Sequence, residues 1–136
     1  MYELFDHTAD IGLRVVAPDR ATLFREAAQG LFAVIVEQGR ERGTTETIEF
    51  ALEAGRDDFL FVDWLNELLY LFEVRRLLLD SFEVALRGTR LQARARARPF
   101  DEERDIMLRE VKAVTYHGLR VERTAMGWLA EVVLDI

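Results

Sequence analysis

The stretch Asp6-His7-Thr8-Ala9-Asp10-Ile11-Gly12 places two carboxylates and an imidazole between two apolar runs, residues 2–5 and residues 13–16. Both runs have the character of buried strands. A polar turn held between buried strands can position ligands. The same residues also suit an ordinary Asx-type turn closed by an aspartate, with Gly12 supplying an unusual backbone angle. Taken alone, the stretch leaves both interpretations open.

The segment after this turn predicts a strand and then a helix. Residues 11–17 form the strand, Pro18 ends it, and Asp19 is placed to cap a helix that begins near Arg20. Apolar residues then recur at helical spacing on a wide stripe, and Gly39 is a stop signal. We therefore expect this helix to pack on a core.

A second strand and helix follow. Residues 45–53 alternate with a period of two, which predicts a half-buried strand, and Asp57 or Asp58 is placed to cap the helix. The predicted buried row of that helix is Phe61, Trp64, Leu65, Leu68, Leu69 and Phe72. Its opposite side carries Asp63, Asn66, Glu67 and Tyr70. Such a polar stripe is either a solvated face or a contact surface for a partner.

A hairpin is predicted over residues 82–98, with its turn at residues 88–89 and small side chains on its inner face. The predicted outer face carries Arg87, Arg94, Arg96 and Arg98. These arginines could bind phosphates, or they could pair across strands with a face such as that of Glu49 and Glu53. The acidic net charge of −7 favours cross-strand pairing.

The end of the chain predicts more strands. Residues 111–116 are rich in β-branched side chains and predict a strand, residues 117–118 indicate a bulge or turn, and residues 119–121 and 128–134 predict a last hairpin. Two helices among six or seven strands with hairpin connections predict an α+β fold. We expect a two-layer sandwich in which two main helices pack on an antiparallel or mixed sheet, in a single domain over residues 1–136.

Composition narrows the classes of function. The 136 residues include no cysteine, so a disulfide framework, a thiolate nucleophile and a zinc–thiolate site are excluded. No apolar run approaches the roughly 18 residues of a membrane helix, and the start lacks a signal-peptide pattern. We therefore expect a cytoplasmic protein without a membrane partner. The chain also lacks a Gly-rich phosphate loop, an H-E-x-x-H motif and a G-x-S-x-G motif.

What remains for chemistry is a set of oxygen ligands: Asp6, Asp10, Asp135 and the α-carboxylate of Ile136. Hard cations such as calcium, magnesium or manganese bind such ligands. The alternative is that Asp135 is a surface charge on a frayed terminus, although the apolar residues that run up to Leu134 make fraying less expected.

Three further side chains have two interpretations each. His7 and His117 could add an imidazole to the cation site, or they could be hydrogen-bonded structural residues. Lys112 could point to solvent, or its ammonium group could face a phosphate or carboxylate near the cation. The residue types alone do not decide between these roles.

Four runs of the sequence, taken together, identify a family: HTADIG at residues 7–12, WLNELLYLFE at 64–73, EVKAVTYHGL at 110–119 and VVLDI at 132–136. They resemble the archease family, small protein partners of RtcB-type tRNA-splicing RNA ligases. The resemblance spans the whole chain, with the four runs in order. The arginine-rich hairpin and the loop at residues 99–105 are the segments that are particular to this chain.

The resemblance implies a protein that is not itself an enzyme. Members of this family promote guanylylation of the ligase, sustain its multiple turnover and broaden its nucleotide use; GTP is used by the ligase, and tRNA is met only through it. The resemblance also implies that Asp10, Asp135 and the carboxylate of Ile136 bind the metal and that Lys112 acts in activation. Asp6, His7 and His117 are candidates for the surroundings of the metal.

Two other classes of function stay open from the residues. One is a small metal-dependent phosphoryl-transfer enzyme or hydrolase that uses the same carboxylates. The other is an RNA-binding or chaperone-like module that uses the face of Arg94, Arg96 and Arg98. Incubation with RNA or nucleotide and a divalent ion, without ligase, separates these classes, because only the enzyme would turn over.

Overall fold

The computed structural model describes residues 1–7, 10–39 and 45–136. The elements in chain order are β1 Tyr2–His7, β2 Asp10–Ala17, α1 Arg20–Ile35, β3 Val36–Glu37, β4 Glu46–Glu53, α2 Asp57–Arg75, β5 Leu77–Arg87, β6 Arg90–Pro99, β7 Ile106–Met107, β8 Ala113–Thr124 and β9 Gly127–Asp135. The strands form three sheets, in the orders β1-β2-β9-β8, β4-β6-β5 and β3-β7. All strand pairs among the described residues are antiparallel.

The two helices pack against both larger sheets. Helix α1 contacts β2 and β5, and α2 contacts β8, β5 and β4. This confirms the α+β fold, in which two helices pack on antiparallel sheets. The single sheet of the expectation is replaced by two principal sheets and a short pair. That pair, β3 with β7, was not predicted because two residues are too few to show a period of two.

Helix α1 begins where its cap predicts. The Asp19 carboxylate accepts a hydrogen bond of 2.8 Å from the backbone N–H of Thr22, and this bond lowers the pKa of Asp19. The helix ends at Ile35, earlier than the stop signal at Gly39. The reason is that Val36 adopts an extended conformation and pairs with β7. The pairing of Val36 with β7 therefore ends the helix before the chain reaches Gly39.

Helix α2 begins differently from the prediction. Its N-cap is Arg56, which makes no side-chain capping bond, and Asp57 and Asp58 lie in the first turn. Carboxylates in this turn still interact favourably with the helix dipole. The predicted buried row is confirmed, and the Trp64 indole N–H donates a 2.9 Å hydrogen bond to the Phe24 carbonyl. This bond joins the two helices inside the core.

The hairpin of β5 and β6 confirms the prediction of cross-strand pairing for Arg94 and Arg96. Arg94 lies 3.3 Å from Glu83 and Arg96 lies 3.7 Å from Asp80, both on β5. Arg90, which was not among the predicted residues, lies 3.4 Å from Glu53 on β4. In these exposed pairs a carboxylate lies beside each arginine and offsets the positive charge that would attract a phosphate. The face is therefore a set of ion pairs across neighbouring strands.

Arg98 is in register with Arg96 on that face, but the expectation that it is exposed was wrong. Arg98 is buried and makes two hydrogen bonds to Asp105, of 2.8 and 2.7 Å. The Asp105 carboxylate also accepts bonds from the backbone N–H groups of Gly39, at 2.7 Å, and Asp101, at 2.8 Å. One buried carboxylate thus ties together the end of β6, the loop that follows it and the segment after α1.

Candidate functional site

The candidate site lies at one end of the four-stranded sheet, where the strand register places four residues in one row. His7 pairs with Asp10, Asp10 with Asp135, and Asp135 with Ala113. Residues directly opposite in an antiparallel pair have their side chains on the same face. The carboxylates of Asp10 and Asp135 therefore share one face, although 125 positions separate them in the sequence. Of His7, only the backbone is described.

Lys112 stands beside this row. The predicted strand over residues 111–116 included Lys112, but strand β8 begins at Ala113, so Lys112 lies just before it. Its backbone N–H still donates a 2.7 Å hydrogen bond to the carbonyl of Asp135. The preceding residue, Val111, is buried, whereas Lys112 itself is exposed. The backbone of Lys112 is thus fixed between a buried neighbour and the acidic strand end.

The charges in this row suit a cation. Like charges directly opposite in an antiparallel pair repel each other, and a divalent ion between the carboxylates of Asp10 and Asp135 would offset that repulsion. Among the described residues, no group of three or more histidine and acidic side chains could hold a metal ion. A third protein ligand would have to come from elsewhere, and Ile136 follows Asp135 directly. Carboxylate and main-chain oxygens fit a hard cation.

The neighbouring row on the same face explains Gly12. Gly12 pairs with Phe5, and the Phe5 ring lies across it so closely that a Cβ atom on Gly12 would stand 2.1 Å from the ring. Gly12 is not among the residues with positive φ, so the expectation of an unusual backbone angle was wrong. The Arg14 guanidinium lies 4.8 Å from the ring centroid. An aromatic ring therefore covers the sheet next to the carboxylates.

The structure separates Asp6 from this pair of carboxylates. Asp6 pairs with Ile11, the neighbour of Asp10, so alternation along the strand places Asp6 on the opposite face. There it lines a cavity of about 330 Å³ together with Arg109. No role for Arg109 was predicted, because this cavity forms from segments far apart in the chain. The predicted turn residues 8–9 lie outside the described residues.

His117 lies in an irregular part of β8. Thr115 is in register with β9 and so is Arg120, and the register shifts between them, which confirms the predicted bulge. Gly118 adopts a φ of 67°, a conformation that favours glycine. His117 is exposed and lies beyond the row that contains Asp10.

No helix among the residues that the structure describes is both long and apolar enough to span a membrane.

Comparison with known proteins places this site in a family context. Residues 2–136 match the model of the Archease protein family (MTH1598/TM1083). The chain is 39% identical to the protein archease of Methanosarcina barkeri over 140 residues, covering 99% of this chain and 95% of that protein. It is 37% identical to the protein archease of Methanopyrus kandleri over 139 residues, covering 99% of each.

Two solved structures share the fold. The solution structure of Methanobacterium thermoautotrophicum protein 1598 is similar with a TM-score of 0.74 and 27% identity, covering 99% of this chain and 98% of that one. The crystal structure of a Thermotoga maritima archease, described as a possible chaperone, is similar in fold with a TM-score of 0.65, 24% identity and coverage of 100% and 98%. Since the family model covers nearly every residue, the chain belongs to the archease family.

Proposed function

We propose that this protein activates an RtcB-type tRNA-splicing RNA ligase: it promotes guanylylation of the ligase, sustains multiple turnover and broadens nucleotide use. The observation that carries the proposal is the family match over residues 2–136. The ligase would use GTP and hold the tRNA, and this chain would contact tRNA only through the ligase. The relatives are named as a protein, not as an enzyme, which is consistent with a non-catalytic partner.

The proposed contact with the ligase is the strand end that carries Asp10, Asp135 and Lys112. Asp10 and Asp135 share a face, and Lys112 is tied to Asp135 through its backbone, so the three groups can act on one ligand. With an oxygen of Ile136, the two carboxylates would hold calcium, magnesium or manganese. When bound, such an ion neutralises charge that develops on phosphate oxygens. The Lys112 ammonium would orient a phosphate or carboxylate beside it.

The alternative functions make different predictions for the protein alone. A phosphoryl-transfer enzyme would consume nucleotide or RNA with a divalent ion and no ligase, and an RNA-binding module would bind RNA without turnover. The RNA module is disfavoured because Arg94 and Arg96 are in ion pairs and Arg98 is buried. The test is a multiple-turnover ligation assay with and without this protein, in which only the mixture should complete repeated rounds.

A separate prediction concerns the cation. Asp10→Ala should weaken manganese binding by about tenfold or more, because it removes one of two paired carboxylates. Residues added after Ile136 should weaken it as well, because a peptide carbonyl lacks the charge of a carboxylate and the added chain crowds the ion. Calorimetric titration of manganese measures both effects.

The matched control for this titration is Asp63→Ala, which removes an exposed carboxylate from α2 and leaves the strand end intact. Manganese affinity in this variant should equal that of the unmodified chain. If the extended chain binds manganese as tightly as the unmodified one, the carboxylate of Ile136 is not a ligand.

A further inference from the structure

The exposed side of α2 carries a tyrosine next to an amide and a carboxylate. Tyr70 is 55% exposed, and Asn66 and Glu67 lie one helical turn before it. Side chains three or four residues apart are neighbours on a helix, with Cβ atoms about 5–6 Å apart. The ring of Tyr70 therefore stands beside the Asn66 amide and the Glu67 carboxylate. We call these three residues the Tyr70 face.

The charge along this helix is negative. Residues 57–74 include five carboxylates, at positions 57, 58, 63, 67 and 73, and no lysine or arginine. The two carboxylates in the first turn bond to Arg20 and Arg56. Glu67, in contrast, makes no ion pair with any residue that the structure describes, Arg109 and Lys112 included. Its carboxylate is available to a cation from another molecule.

The arginines at the end of α2 do not neutralise Glu67. Arg75 donates a 2.8 Å hydrogen bond to Glu46, and the Arg76 guanidinium lies 5.1 Å from the centroid of the Phe72 ring. Arg76 follows Glu67 by about 13 Å along the helix axis. This distance exceeds the roughly 8 Å over which exposed charges interact at physiological ionic strength. The Tyr70 face therefore keeps its negative charge.

Elsewhere in this protein an arginine occupies the same kind of place, beside an aromatic ring and a carboxylate. The Arg56 guanidinium lies 4.9 Å from the centroid of the Phe59 ring and donates hydrogen bonds of 3.1 and 2.6 Å to Asp58. The same arrangement recurs twice, for Arg20 with Trp128 and Asp57, and for Arg14 with Phe5 and Glu3. A planar guanidinium suits such places because it stacks on a ring while its N–H groups pair with a carboxylate.

We propose that the Tyr70 face binds an arginine side chain of the ligase, an inference that rests on the proposed function. The guanidinium stacks on the Tyr70 ring, and its N–H groups donate to the Glu67 carboxylate and the Asn66 amide oxygen. The position of the face supports the ligase as the source of this arginine. Leu69, the neighbour of Tyr70, lines a groove together with Val111, which precedes Lys112. A ligase surface that contacts Lys112 therefore lies close to this part of α2.

The test is calorimetric titration of the purified ligase with the native chain and its variants. Tyr70→Leu should weaken binding by about fivefold, because it removes the ring, and Tyr70→Phe should retain binding because it keeps the ring. Glu67→Gln should weaken binding by about tenfold, because it removes the charge from the hydrogen-bond acceptor. The matched control is Glu49→Gln, which neutralises an exposed glutamate on β4 and should bind as the native chain does.

The double variant of Tyr70→Leu and Glu67→Gln separates one shared arginine from two independent contacts. With one arginine, the loss of affinity in the double variant should be smaller than the product of the two single losses. The reason is that an arginine released by one partner is no longer held against the other. Losses that multiply would show two separate contacts and overturn the proposal.

Native affinity of either Tyr70→Leu or Glu67→Gln for the ligase would overturn the arginine site, and so would an equal loss in Glu49→Gln. Because both positions lie on the surface of α2, the variants should melt close to the native chain. Self-association of the native chain that Tyr70→Leu abolishes while ligase binding persists overturns the site too. If the native chain neither binds nor activates the ligase, the proposed function fails. If it does both and the variants bind normally, only the arginine site fails.

Discussion

Replacement of Asp105 by alanine should lower the free energy of unfolding by about 3–5 kcal/mol, the range found when one partner of a buried ion pair is removed. The change leaves the buried Arg98 guanidinium without its carboxylate. It also removes the acceptor for the backbone N–H groups of Gly39 and Asp101. Urea unfolding of the native chain and the variant measures the difference.

The control for this measurement is Glu83→Ala, which removes an exposed carboxylate paired with Arg94. Exposed ion pairs contribute about 0–1 kcal/mol, so this variant should unfold close to the native chain. If Asp105→Ala costs no more than Glu83→Ala, the buried pair does not stabilise the fold as described.

Lowering the pH should reduce the difference in free energy of unfolding between the native chain and Asp105→Ala. The hydrogen bonds from Arg98 hold the pKa of Asp105 well below its usual range. A carboxylate with a lowered pKa in the folded state contributes stability in full above its unfolded pKa, about 3.9, and loses it as the pH falls toward the folded pKa. Urea unfolding between pH 7 and pH 2 should show this loss in the native chain and not in the variant.

Lys112→Ala should reduce ligase activation to the level of the ligase alone and change the free energy of unfolding by no more than about 0.5 kcal/mol. The side chain is exposed, so its loss leaves no cavity. The hydrogen bond to Asp135 comes from the backbone and is retained. The measurement is the number of ligation rounds per ligase with native or variant protein, beside a thermal melt.

The matched control for Lys112→Ala is Arg87→Ala, which removes an exposed cation from the turn end of the β5–β6 hairpin. This variant should activate as the native chain does. A folded Lys112→Ala protein that still supports repeated ligation would show that the lysine has no role in activation.

Local signals predicted much of this fold because the forces behind them are local. The cap at Asp19, the hairpin turn at residues 88–89 and the bulge near Gly118 depend on neighbours in the chain. Arg98 shows the limit of such signals. Strand alternation correctly placed it on the face of Arg96, but its pairing with a carboxylate seven residues later, in the loop after β6, buries it there. Tertiary structure brings this carboxylate to Arg98, and the alternation of residues along a strand does not predict such a contact.

In the candidate site, too, some features follow from the local sequence and others depend on tertiary structure. The residues alone showed only that Asp10 and Asp135 offer oxygen ligands, and the resemblance to a family joined them into one site. Their direct pairing depends on the register between β2 and β9, which sequence periodicity does not set for strands so far apart. A groove of about 510 Å³, lined by Ile35, Phe72 and Met107 among others, was not predicted, because it requires α1, α2 and the segment before Lys112 to meet.

Guanylylation of the ligase itself shows most directly whether this protein is an activator. Purified ligase is incubated with labelled GTP and manganese, with or without this protein, and the labelled ligase is followed over time. We expect faster and more complete labelling of the ligase with the native chain, no gain with Lys112→Ala, and no consumption of GTP by the native chain alone. Labelling of the ligase at the same rate with and without the native chain would show that this protein does not activate the ligase.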